Sequence, residues 1–250
     1  MSGQHGWAVA ILLLSIGLST GSVWLKQKPA ANQTWRIIEE PRLRQAARFF
    51  YFVGLPYLAV ILGVLTTRML GLKGLENVGL FDGGNLAAGL QTVLVLMLLE
   101  WLVDSSATII IGLAALVILG GLRLSLARSG IRLGAGYRAT VVDTVYQALH
   151  WAFYRAVIWL LSGDLYLAVV LGAGLVLAEW LLVTWVRQAW ADRQQAILAE
   201  SLILILTAAI FYYSPNLWLL WPFHLAMVVL IRNSTVGRGW GWATGDGGVL

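Results

Sequence analysis

Long apolar runs alternate with short polar breaks along the chain, and the run lengths predict helices rather than strands. Eight runs stand out, at 7–25, 49–67, 86–103, 107–122, 141–161, 165–186, 196–213 and 217–231. Most are about as long as the hydrocarbon core of a bilayer is thick, at roughly 1.5 Å per helical residue. Ser162-Gly163-Asp164 and Ser214-Pro215-Asn216 are tight turns, and the proline in the second stops a helix. Asp104-Ser105-Ser106 reads as a further break, between the third and fourth runs.

Composition agrees. Hydrophobic residues make up 59% of the 250 and charged ones only 12%, where a soluble domain carries about 25% charge. The fold class is therefore all-α. It is a polytopic transmembrane helical bundle of about eight hydrophobic segments, seven or eight of them spanning, in one integral-membrane domain over 1–250. Its environment is the lipid bilayer, and no stretch is polar enough for a soluble domain. The net charge of +5 comes from basic loops, which marks a cytoplasmic face rather than nucleic-acid binding. Absent cysteine excludes disulfides and thiol chemistry, and thirteen Trp suit interfacial belts.

Charge orients the second half. Arg123, Arg128, Arg132 and Arg138 follow one another with no acid between them, and residues 187–193 and 232–238 are the next basic connections. Four spans alternating between these and short neutral turns put the C-terminus in the cytoplasm, in a bacterial plasma membrane. The first half resists the same treatment. Residues 26–48 hold six basic side chains as well as Glu39 and Glu40, and form an interfacial amphipathic loop. Three runs separate this loop from the next basic one, and an odd number cannot return the chain to the same side. Either residues 26–48 lie outside or one run fails to span; eight segments with both termini inside is the preferred reading. The Gly-rich tail, 232–250, reads as mobile unless a partner holds it.

Chemistry is sought among polar groups in apolar runs, because an ionisable side chain in hydrocarbon costs several kcal/mol unless paired or wetted. The central run, 141–161, carries Asp143, Gln147, His150 and Arg155. Asp143, Gln147, His150 and Tyr154 are spaced 4, 3 and 4 apart and line one helical stripe. Residues 141–231 are thus the site-bearing helices. Asp143, Glu179 and His224, on three different runs, are the primary catalytic candidates, with Gln147, His150 and Arg155 as secondary ones. Two carboxylates and an imidazole could hold a divalent metal or perform acid–base work, or each could be satisfied separately by its own neighbours. Glu39-Glu40-Pro41-Arg42-Leu43-Arg44 has the string E-E-x-x-x-R, but charge compensation on an interfacial face explains it better. No phosphate-binding Gly loop or H-E-x-x-H is present.

Residues 49–231 resemble the CPBP intramembrane protease family, of the CAAX prenyl-protease and bacteriocin-processing type. The local match is strongest at Ser214-Pro215-Asn216-Leu217-Trp218-Leu219-Leu220-Trp221-Pro222-Phe223-His224. The family's E-E-x-x-x-R falls on Val142 to Gln147, keeping only Asp143 as an acid. Its F-x-x-x-H falls on Leu175 to Glu179, with Glu179 in place of the histidine, and its H-x-x-x-N/D on His224 to Val228. The resemblance implies a bundle of about eight spans and a water-activating site built on Asp143, Glu179 and His224. A metal such as zinc is implied only if that site is functional. So many motif residues are replaced that a degenerate member is expected, with weak or no proteolysis, binding a membrane peptide or protein partner. The competing readings are a non-catalytic structural subunit of a larger membrane complex and a small transporter.

Overall fold

A computed structural model of the chain describes residues 3–27, 40–73, 86–130, 140–187 and 190–232. All regular structure among them is helical. The helices are α1 (Gly3–Lys26), α2 (Pro41–Phe49), a π-helical turn (Phe50–Gly54), α3 (Leu55–Ile61), α4 (Leu86–Arg128), α5 (Val141–Ser162), α6 (Leu165–Arg187), α7 (Trp190–Tyr213) and α8 (Leu217–Arg232). Four stretches are long and apolar enough to cross a membrane: Gly3–Leu25, Leu98–Arg128, Leu165–Arg187 and Gln194–Tyr213. These are the features of a helical integral membrane protein in contact with lipid.

Segments three and four are not separate. They are one helix, α4, of 43 residues. The polar triplet fails to break it because Asp104 and Ser106 find partners without leaving the helix path. Asp104 accepts a hydrogen bond from the Lys73 ammonium at 2.7 Å, and Ser106 Oγ donates to the Val103 carbonyl at 2.8 Å. Serine bonded back to its own backbone is tolerated in a helix interior. The eight-segment division is corrected on this point. Within 26–48, residues 28–39 lie outside the described residues; Pro41–Phe49 is a helix with no buried residue. The tail from 233 also lies outside them.

Segment two is a helix with a widened turn. Helical geometry runs unbroken from α2 through the π turn into α3. Pro56 stands just inside α3. It offers no N–H to the preceding turn, and an extra residue in that turn is a common accommodation. A series of turns over 62–73 follows and docks on the hairpin between α7 and α8. There Gly71, at φ 78°, accepts the Leu217 N–H at 2.8 Å. A Cβ at position 71 would lie 2.7 Å from the Phe211 ring, so this contact requires glycine.

α5 is the axis of the bundle, and its residues 148–157 are buried without interruption. A capping box starts it: the Thr140 hydroxyl accepts the Asp143 N–H while the Asp143 carboxylate accepts the Thr140 N–H. Gly163, left-handed at φ 68°, ends it. α6 returns antiparallel, pairing Glu179 with His150 and Gly172 with Arg155. α8 lies along α4 in the same direction, with Phe223 over Gly112 and the Leu230 carbonyl accepting from Arg123 at 2.8 Å. α1 runs parallel to α6, where the Gln27 side chain donates to the Val186 carbonyl at 2.6 Å.

Candidate functional site

Glu179 on α6 is 6% exposed and lies at the meeting of α1, the π turn, α5 and α6. Its Oε1 accepts the Tyr51 hydroxyl at 2.7 Å. Its Oε2 accepts the Tyr154 hydroxyl at 2.8 Å and faces His150 Nε2 at 3.1 Å. Ser15 Oγ on α1 reaches the Tyr51 hydroxyl at 3.4 Å. A buried carboxylate survives when its lone pairs are occupied; two tyrosine hydroxyls and an imidazole lie against this one.

Each partner has a local reason to be there. His150 and Tyr154 are four apart on α5 and share one helical face, with ring centroids 4.7 Å apart and nearly perpendicular. Tyr51 comes from the π turn. The wider turn sets consecutive side chains closer in angle, so the Tyr51 and Phe52 rings both rest on His150, at 5.0 and 5.3 Å. Phe52 also stacks on Tyr146 at 5.6 Å, which fixes the π turn against α5.

The three primary candidates have separate partners. Asp143 closes the capping box and forms an ion pair with Arg48 of α2, at the end of α5. His224 on α8 is fully buried, with Nδ1 3.4 Å from the Thr207 hydroxyl and the Trp151 ring at 4.8 Å. Glu179 is joined to His150, a secondary candidate. Gln147 is half-buried on α5. Arg155 is buried, with its guanidinium carbon 3.8 Å from the centroid of the Phe211 ring. Among the described residues no three His, Cys, Asp or Glu side chains gather as a metal would require. The donor set around Glu179 thus does not fit the zinc centre that the resemblance implies.

Two members of the cluster escaped sequence reasoning as site residues. Tyr154 lies on the polar stripe, but nothing in the sequence separates it from the chain's many other aromatic residues. Tyr51 sits in the aromatic run F-F-Y-F, where only Gly54 and Pro56 nearby signal an irregular turn. Chemically, the cluster can fix a carboxylate, hold it against an imidazole and pass a proton between them. Three of the roughly four acceptor positions of the carboxylate are taken by protein groups, which leaves little room to position a water. The chain matches no known family model, and no curated protein or solved structure is significantly similar to it.

Proposed function

We propose that the chain is a non-proteolytic membrane protein of intramembrane-protease-like build, which holds a membrane peptide or protein partner rather than cutting it. The observation that carries this reading is the occupied carboxylate of Glu179, tied by Tyr51, Tyr154 and His150. A general base needs a free lone pair aimed at its water, and this one is engaged. Support for the family build comes from α5, α6 and α8, which correspond to the motif-bearing helices, with α6 and α8 each packed on α5. The E-E-x-x-x-R spacing also suits a later register than Val142 to Gln147, namely His150-Trp151-Ala152-Phe153-Tyr154-Arg155. In that register carboxylate and imidazole have exchanged helices, with His150 facing Glu179 and Trp151 touching His224.

This test is direct. Purified protein in lipid vesicles is incubated with synthetic transmembrane peptides, with and without zinc, and the peptides are weighed by mass spectrometry. Intact peptides are expected throughout. Cleavage that disappears in Glu179→Gln would overturn the reading.

The same proposal includes seven passes: α1, the continuous α2 to α3 helix, and each of α4 to α8. Gln4 meets the Gly63 carbonyl and Gly71 meets Leu217, which supports one common end. Arg48 with Asp143, Gln27 with Val186 and Arg123 with Leu230 support the other. Most of the basic residues gather at this second end, with Arg68 and Lys73 at the first, which makes the second the cytoplasmic one by the positive-inside rule. Merging segments three and four leaves two passes between the basic loops, so the parity conflict disappears and the N-terminus moves outside. The absence of native cysteine makes this easy to check. With single cysteines at exposed positions, a membrane-impermeant maleimide applied to intact cells should label Ser162→Cys and spare Ser129→Cys. The opposite pattern, or equal labelling, would contradict seven passes.

A further inference from the structure

One residue round α5 from the Glu179 centre, about 100° away, Trp151 and Arg155 form a second face. Arg155 is 3% exposed and no carboxylate among the described residues pairs with it. Its Nε and Nη2 are buried without a hydrogen-bond partner. These two nitrogens form one side of the guanidinium fork, the planar edge that grips a carboxylate through two parallel hydrogen bonds. The stem is pinned: a Cβ at Gly172 would lie only 2.8 Å from Arg155 Cγ. The head lies on the Phe211 ring. One helical turn away, Trp151 on α5 and Thr207 on α7 flank His224, whose Nε2 is also buried and unpartnered.

A buried cation with open donors is costly, and a ring beneath it offsets only part of that cost. The arrangement therefore calls for an anion. We propose that the Nε and Nη2 edge of Arg155 binds the carboxylate of a single-chain amphiphile, a fatty acid drawn from the bilayer. One fixed positive charge matches one monoanionic carboxylate, and the planar edge matches its two oxygens. Phe211 and Trp151, both buried beside Arg155, make the surroundings of the bound carboxylate apolar. The inference uses a different face of α5 and stands whether or not the Glu179 reading holds.

Trp151, one of thirteen Trp, provides the signal for a test, read as the part of the quenching that is lost in Trp151→Phe. The full chain, in micelles of a zwitterionic detergent, is titrated with a bromine-labelled stearic acid while Trp fluorescence is followed. Saturable quenching is expected, with the methyl ester of the same acid about tenfold weaker or more, since a charged hydrogen-bond pair is lost. Arg155→Lys, which keeps the charge without the fork, should weaken binding, and Arg155→Met should abolish the saturable part. Arg155→Met removes an unpaired buried charge, so its thermal melt should be no lower than that of the native protein. Equal quenching by acid and ester in the native protein overturns the proposal without recourse to any variant. So does equal quenching of native protein and Arg155→Met, or saturable quenching by a brominated anionic phospholipid that Arg155→Met removes.

Discussion

Glu179→Leu is expected to destabilise the protein by about 3–5 kcal/mol, because an acceptor is withdrawn from several buried donors at once. The Tyr51 and Tyr154 hydroxyls would then have lost their shared acceptor inside an apolar bundle, and His150 its partner. The loss reaches beyond α6. Tyr51 joins the π turn to the centre, Tyr154 and His150 belong to α5, and Ser15 connects α1 through Tyr51. Glu179→Gln should cost less, about 1–2 kcal/mol, since its carbonyl still accepts while its NH2 meets a donor. Reversible unfolding in mixed micelles, followed by the helical circular dichroism signal, reads both values. A Glu179→Leu protein as stable as the native one would remove the centre from any organising role.

The second large effect is steric. Gly172→Val is expected to cost about 3 kcal/mol. A Cβ there would lie 3.0 Å from Arg155 Cα and 3.1 Å from its backbone nitrogen. Backbone in the middle of a helix cannot move aside as a side chain can, so α5 and α6 must separate. Glu179 is seven residues, or about two turns, further along α6, and the separation would lengthen its bond to His150. Gly174 is the internal control. It is exposed and a Cβ there meets nothing within 4 Å. Gly174→Ala should therefore be neutral, or stabilise by up to about 1 kcal/mol through helix propensity. Thermal melts of the two variants side by side check the contrast.

The fold class was legible because burying apolar surface in lipid demands long, unbroken apolar runs, and these are visible in any sequence that has them. The turns at Gly163 and Pro215 were equally plain, each resting on local backbone preference. The false break at Asp104 shows what runs alone miss. Its charge is matched by Lys73, thirty-one positions away, and no local rule anticipates a distant partner. The site divides in the same way. The cost of an ion in hydrocarbon picked out Glu179, His150, Asp143, Arg155 and His224 one by one. Which of them meet is decided by helix rotation and packing, at Gly172 and at the π turn, and neither is written in a single run. Asp143 looked like a site acid because it lies on the stripe with His150. Its place three residues after Thr140 makes it equally a capping acid, the role seen in the structure.

The central claim is that the Glu179 carboxylate and its tyrosine donors act as one unit. A double-mutant cycle between Glu179→Gln and Tyr154→Phe, measured by reversible unfolding in mixed micelles, tests it most directly. Coupled groups should give an interaction energy of about 1 kcal/mol or more. Stability changes that simply add, to within about 0.3–0.5 kcal/mol, would mean that the two side chains do not share the bond described for them.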